Sequence, residues 1–160
     1  MTFDAYNQAA KLEPNNPIFV AALGRSQVLA GDLANRNNDR DGRNRAYTQA
    51  IVSLGKSVAL KYDYIPAHFL LAQVYEKQNR AKQAVAKADE IAQLIGDDAA
   101  SFYQLGLFHF VAGRLDNAKT TFERAVQLFP DYSNARYYLG LIFDRQGKRN
   151  QAIEQFETIF

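Results

Sequence analysis

Apolar and small residues recur along this chain at helical spacing, and the pattern itself recurs every 34 residues. One stripe runs through Leu105 and Gly106 and a second begins at Ala118, each with the i, i+3, i+4 spacing of an amphipathic helix. The same succession starts 34 residues earlier at Leu71 and 34 residues later at Leu139. A fixed period of this size predicts stacked helical hairpins, because one hairpin cannot bury its apolar face alone.

Turn residues separate the stripes at equivalent places in each unit. Gly113 and Gly147 suit the left-handed end of a first helix, and Asn79 fits the same position because Asn tolerates positive φ. Pro130 cannot continue a helix and so marks the end of a second one. Each unit is therefore predicted to be a helix A, a three-residue turn, a helix B and a short connecting turn.

This pattern resembles the tetratricopeptide repeat, whose signature is Trp-x-x-Leu-Gly-x-x-Tyr followed by Ala-x-x-x-Phe, Ala and Pro. The unit at 99–132 carries nearly all of it, at Phe102, Leu105, Gly106, His109, Ala118, Phe122, Ala125 and Pro130. In the preceding unit, Ala72 replaces the helix A glycine, Ala88 the helix B aromatic and Gly96 the terminal proline. The resemblance implies an all-α fold, a right-handed α-solenoid of stacked antiparallel helix pairs.

The resemblance also divides the chain into a single array of repeats. Its units fall at 1–16 (a lone helix B), 17–64, 65–98, 99–132 and 133–160, the last truncated at its C-terminal end. The second unit is roughly 14 residues longer than the repeat requires. Its polar residues, about 33–46, are predicted to form a mobile surface loop, and contact with a partner is an alternative role for that loop. We interpret the two open ends as those of a fragment of a longer repeat protein.

Helices A line the inner wall of such an array, and the resemblance implies that this groove binds a peptide. Phe69, Tyr103 and Tyr137 are predicted to form an aromatic ladder there, because rigid rings offer large contact area at small entropy cost. Simple packing is the alternative for these rings. The candidate groove residues are Arg25, Phe69, Gln73, Glu76, Tyr103, Gln104, Leu107, Phe110, Tyr137, Tyr138, Leu141 and Asp144.

Polar groove residues refine the kind of ligand. Gln73 and Gln104 could hydrogen-bond a peptide backbone, and Arg25 and Arg145 could meet an acidic group. Some relatives hold a partner's C-terminal carboxylate with a clamp of Lys, Asn, Asn, Lys and Arg. The equivalent positions here do not carry that set, so this mode of binding is not expected.

Composition narrows the function further. The chain has 19 Lys and Arg against 17 Asp and Glu, a net charge of +2 that argues against nucleic acid as a partner. It has no Cys, and its two histidines, His68 and His109, are expected to be buried packing residues rather than metal ligands. No nucleophile elbow, phosphate-binding glycine loop or paired-carboxylate motif is present, so we expect neither enzymatic activity nor a cofactor.

We therefore expect a non-catalytic scaffold that binds a protein or peptide segment. The alternative is self-association into a homo-oligomer through the array ends, motivated by Phe156, Ile159 and Phe160. Residues 131–140 are similar to repeats fused to bacterial membrane proteins of cell-surface polysaccharide assembly. No apolar run reaches the ~20 residues that span a bilayer. We expect a soluble domain without direct membrane insertion, in the cytoplasm rather than the periplasm or the extracellular space.

Overall fold

The computed structural model describes residues 3–159 as helices joined by short turns. The helices are α1 (Phe3–Leu12), α2 (Pro17–Arg36), α3 (Arg40–Leu60), α4 (Ile65–Lys77), α5 (Ala81–Leu94), α6 (Ala99–Val111), α7 (Leu115–Leu128), α8 (Ser133–Arg145) and α9 (Arg149–Glu157). Over that range the structure contains no strand, and no helix is both long and apolar enough to cross a membrane. Phe160, one of the residues that suggested self-association, lies outside the described residues.

The chain forms two compact units, which divide between Leu94 and Ile95. In the first unit, α2 packs against α3 and α4 against α5, while α1 contacts α2 and α3 contacts α4. In the second unit, α6 packs against α7 and α8 against α9, and α7 contacts α8. Helices that follow each other in sequence are thus paired as hairpins, which agrees with the predicted alternation of helix A and helix B.

Each unit has its own hydrophobic core, built from the repeating positions. The first core includes Leu54 and Val74, both fully buried. The second includes Phe122 and Ile142, also fully buried, together with Leu139. The apolar stripes that defined the sequence period are therefore the surfaces that the hairpins bury.

Glycines on helix A allow the aromatic residue of helix B to approach closely. A Cβ atom placed on Gly106 would lie 2.6 Å from the ring of Phe122, and one on Gly140 would lie 2.5 Å from the ring of Phe156. Real Cβ atoms do not approach a ring this closely. The repeat therefore requires a glycine where the ring of the facing helix occupies the crossing.

Residues in the left-handed conformation end helix A, as the sequence predicts. The φ angle is 74° at Gly113, 72° at Gly147 and 57° at Asn79. Asn38, with φ of 58°, has the same place between α2 and α3. Sequence analysis missed this turn, although the Asn-Asn-Asp sequence at 37–39 contains the residue types that such a turn favours.

The prediction of a loop over residues 33–46 is wrong, because only 37–39 form a turn and the rest is helical. Helix α2 has 20 residues against 13 in α4, and α3 has 21 against 14 in α5. The additional residues therefore lengthen each arm of the hairpin by seven, about 10 Å at the rise of an α-helix.

This extended part of the hairpin is polar because most of its surface remains in solvent. It is stabilised instead by a few specific contacts. The Asp39 carboxylate caps α3 by accepting from the Gly42 N–H at 2.8 Å, and the Tyr47 hydroxyl donates to Asp32 at 2.6 Å. Gly31 gives room to the ring of Tyr47, since a Cβ atom there would lie 2.4 Å from that ring. A polar composition does not exclude a helix that has such contacts.

Candidate peptide-binding surface

The first unit carries four of the candidate groove residues, on α2 and α4. Arg25 and Gln73 are exposed, and Glu76 is half-buried. Phe69, by contrast, retains 8% of its exposure and is part of the buried residues of α4. It therefore offers little surface to a ligand and fits the packing alternative better than the ladder.

The second unit carries the other eight candidates, four on α6 and four on α8. Those on α6 are Tyr103, Leu107 and Phe110, which are half-buried, and Gln104, which is exposed. Those on α8 are Tyr138 and Leu141, which are half-buried, and Tyr137 and Asp144, which are exposed. The half-buried side chains rest on the core of the unit, and part of each remains accessible.

Tyr138 joins the rings of the two helices. Its ring centroid lies 6.1 Å from that of Tyr103 and 5.1 Å from that of Phe110. It also stacks on the buried ring of Phe122, with centroids 5.3 Å apart and planes 13° apart. The predicted ladder used Tyr137, whose ring instead contacts Phe156 at 6.1 Å. Ring contacts between α6 and α8 therefore run through Tyr138.

Tyr132 extends this set of rings, and sequence analysis missed it. Its ring lies 5.1 Å from that of Tyr103 and 6.0 Å from that of Phe129, which is 52% exposed. Tyr132 precedes α8 and so lies outside the helix A positions that were considered. A signal was available, because Tyr64 occupies the equivalent place before α4.

The tyrosine hydroxyls of this surface remain protonated near neutral pH. Burial raises the pKa of Tyr103 above its ordinary value, and the neighbouring Tyr138 and Tyr132 raise it further. Burial also raises the pKa of Tyr132, with a contribution from Asp98. Both groups are consequently available as neutral hydrogen-bond donors. We call Tyr103, Leu107, Phe110, Tyr132, Tyr138 and Leu141 the aromatic surface.

Arg145 has a different position from the one expected of it. Its guanidinium lies over the ring of Phe110, with Cζ 4.7 Å from the ring centroid. This cation–π contact holds the charge at the edge of the aromatic surface. Arg145 itself is exposed, so the guanidinium can still accept an anionic group from solvent.

The two histidines are buried, as predicted. His68 is fully buried, with Nε2 donating to the carbonyl oxygen of Tyr62 at 2.6 Å and Nδ1 3.2 Å from Glu90 Oε2. His109 is 6% exposed. Within residues 3–159, no three His, Asp or Glu side chains are close enough together to hold a metal ion.

Three open clefts lie elsewhere on the units, and the sequence predicted none of them. One of about 310 Å³ lies against α7, α8 and α9 and is lined by residues that include Val126, Arg136 and Phe143. Two more, of about 340 and 270 Å³, lie at the end of the extended α2–α3 hairpin and share Arg43 and Lys77.

Comparison with known proteins agrees with this fold. The sequence model of the Tetratricopeptide repeat family matches residues 97–159. No curated protein matches the sequence. Among solved structures, MamA has a TM-score of 0.70 at 24% identity, covering 98% of this chain and 84% of MamA.

Two further solved structures are similar over nearly the whole chain. YrrB, described as a TPR protein with an unusual peptide-binding site, has a TM-score of 0.63 at 18% identity, covering 99% of this chain and 74% of YrrB. TTC0263, a thermophilic TPR protein from Thermus thermophilus, has a TM-score of 0.66 at 20% identity, covering 98% of this chain and 79% of TTC0263. At these identities the similarity concerns the fold. With the family match and the 34-residue register, it identifies the chain as a member of the tetratricopeptide-repeat family with an all-α solenoid fold.

Proposed function

We propose that this chain is a non-catalytic scaffold that binds a peptide or protein segment on the aromatic surface of α6 and α8. The observation that carries the proposal is the continuous contact of Tyr103, Tyr138 and Phe110 on two successive helices A, with each ring half-exposed. Proteins of this fold generally act as interaction scaffolds rather than enzymes.

The rings are held in place before any ligand arrives. Phe122 is fully buried and stacks on Tyr138, while its ring also lies 5.9 Å from that of Tyr103. A ligand that contacts these rings loses little further side-chain entropy, which favours affinity. Leu107 and Leu141 add aliphatic surface between the rings.

The polar neighbours indicate the chemistry of the ligand. Gln104 and Asp144 are exposed on the same two helices, and Arg145 lies at the edge over Phe110. An apolar or aromatic side chain would occupy the rings, while the amide of Gln104 could bond the peptide backbone. YrrB, which shares the fold, is described as having an unusual peptide-binding site, and this supports the proposal by analogy only.

Selection from a random peptide library on the intact chain tests the proposal. Selected peptides should bind variants Leu107→Glu and Leu141→Glu about ten-fold more weakly, because a carboxylate would be desolvated against the ligand. Gln104→Arg provides a variant at an exposed position that leaves the packing intact. Val111→Glu is the matched control on α6, since Val111 is 85% exposed.

The same peptides distinguish the aromatic surface from the cleft beside α9. Gln155→Arg introduces a bulky charge into the lining of that cleft. Loss of binding in Gln155→Arg with full binding in Leu107→Glu would contradict the proposal. So would an equal loss in Val111→Glu and Leu107→Glu. Far-UV circular dichroism of every variant checks that it remains folded.

Self-association is a second candidate, supported by apolar surface on α8 and α9. Tyr137 is 49% exposed and Ile153 is 45% exposed, and Phe156 and Ile159 are half-buried nearby in sequence. Sedimentation velocity over a concentration series should then show a dimer that Ile153→Lys abolishes. A monomer at every concentration would contradict this second candidate and leave the peptide-binding proposal unaffected.

A further inference from the structure

The lengthened hairpin α2–α3 creates a cleft that ordinary repeats of this chain do not have. Its end overhangs the turn between α4 and α5, and the two adjoining spaces of about 340 and 270 Å³ share Arg43, Tyr47 and Lys77. We call these two spaces together the tip cleft. Its full lining is Asp32, Asn35, Arg36, Arg43, Asn44, Tyr47, Lys77, Gln78, Asn79 and Arg80.

Positive charge predominates in the tip cleft. Arg36, Arg43, Lys77 and Arg80 line it, and Asp32 is the single carboxylate of the lining. Asp32 is already engaged, because it accepts from the Tyr47 hydroxyl at 2.6 Å and from Lys77 Nζ at 2.8 Å. That pairing compensates Lys77 and leaves the three guanidinium groups as the uncompensated charge of the lining.

Neutral groups, rather than carboxylates, hold two of these guanidiniums. Arg43 Nη1 donates to the amide oxygen of Asn35 at 3.1 Å. Arg80 Nη1 donates to the amide oxygen of Gln78 at 3.1 Å, and its Cζ lies 4.6 Å from the centroid of the Tyr75 ring. Both side chains are thus oriented while their charge is kept, which is the arrangement expected of an anion-binding site.

We propose that the tip cleft binds an acidic peptide segment, with successive Asp or Glu carboxylates meeting Arg36, Arg43 and Arg80. The guanidinium fork matches the geometry of a carboxylate and can bind it through two parallel hydrogen bonds. The cations lie in two adjoining spaces, and a chain with several carboxylates can occupy both, whereas one compact anion fills only one. This site lies in the first unit and does not depend on the aromatic surface of the second.

Fluorescence anisotropy with the intact chain tests this site. The probes are fluorescein-labelled hexaglutamate and, as the uncharged match, labelled hexaglutamine. Hexaglutamate should bind and should weaken as salt rises from about 0.05 M to about 0.2 M, because screening reduces the attraction between partly exposed charges. Absence of hexaglutamate binding at the lower salt, or equal binding of hexaglutamine, would overturn the proposal.

Variants with the same change of net charge separate the cleft from general electrostatics. Arg43→Gln and the more exposed Arg36→Gln should each weaken hexaglutamate binding about ten-fold. Arg45→Gln is the control, since Arg45 lies on α3 two residues from Arg43 but outside the lining. Equal weakening in Arg45→Gln and Arg43→Gln would overturn the proposal, provided that circular dichroism shows both to be folded.

Two further measurements identify the ligand chemistry. Asp32→Asn removes the one carboxylate from the lining and should tighten hexaglutamate binding, whereas weakening as large as that of Arg43→Gln would overturn the proposal. Inorganic phosphate is added as a competitor at equal ionic strength. Displacement of the probe by phosphate as effectively as by unlabelled hexaglutamate would show a small-anion site and would also overturn it.

Discussion

Substitution of Gly106 by Ala should have opposite effects on stability depending on the residue at position 122. In the natural chain the new Cβ atom would lie 2.6 Å from two atoms of the Phe122 ring. That ring is fully buried and stacked on Tyr138, so it has no free space to enter. Over-packing of this kind costs about 1–3 kcal/mol. The better helix propensity of Ala offsets about 0.5–1 kcal/mol of that, so the free energy of unfolding should fall by about 1–2 kcal/mol.

In a Phe122→Ala background the same change should stabilise the chain. Phe122→Ala alone should cost about 3–5 kcal/mol, since it removes a fully buried ring. The Cβ atom of Gly106→Ala then enters vacated space, and only the gain in helix propensity of about 0.5–1 kcal/mol remains. The two sites are thus coupled by roughly 1–3 kcal/mol. The unit at 65–98 already has this combination, with Ala72 and Ala88 at the equivalent positions.

Urea denaturation followed by far-UV circular dichroism measures all four members of this cycle. The slope with urea should stay constant, so that shifts of the midpoint report stability. Gly55→Ala is the control, because a Cβ atom there has no heavy atom within 4 Å, and it should stabilise the chain equally in both backgrounds. If Gly106→Ala changed stability by the same amount with Phe122 and with Ala at 122, the ring would not be the reason for the glycine.

Three further predictions follow from local geometry. Gly147→Ala should lower the free energy of unfolding by about 1–2 kcal/mol, because φ there is 72° and an L-residue is strained in that conformation whatever the surrounding space; thermal unfolding measures it. Ser57→Ala should cost about 0.5–1.5 kcal/mol in urea, since the fully buried hydroxyl donates to the Pro17 carbonyl at 2.7 Å. Hydrogen bonding from Ser101 holds the pKa of Asp98 below its ordinary value. The stabilisation from Asp98 should therefore be present above the unfolded pKa of about 3.9 and be lost as pH falls through the lower folded value. Carboxyl NMR titration should show the Asp98 pKa returning towards its ordinary value in Ser101→Ala.

The 34-residue register predicted the hairpins because both the stripes and the turns follow directly from local chemistry. Gly113 and Gly147 could be assigned to the left-handed turn from residue type alone, and the structure confirms both. The substitutions Ala72 and Ala88 are different, because the sequence shows two separate departures from the repeat. Only the facing of Gly106 and Phe122 across the crossing explains why such changes occur together.

The aromatic surface and the tip cleft were less accessible to sequence analysis. Adjacent residues Tyr137 and Tyr138 differ by one helical step of 100°, and the choice of which ring contacts the neighbouring helix depends on how the hairpins pack. The tip cleft depends on a helix at 33–46 whose polar composition favoured a loop. Tyr47 and Gly31 carried the only apolar signal for that pairing, at a separation that no local pattern connects.

The seven residues added to each arm of α2–α3 set a rule for changing the length of such hairpins. Seven residues fall only about 20° short of two full helical turns. The two arms therefore keep the same sides towards each other from base to end, as the contact of Gly31 with Tyr47 illustrates. Grafts of one heptad per arm should accordingly preserve the orientation of everything beyond the graft point, whereas insertion of five residues per arm would swing the distal segment by roughly 140°.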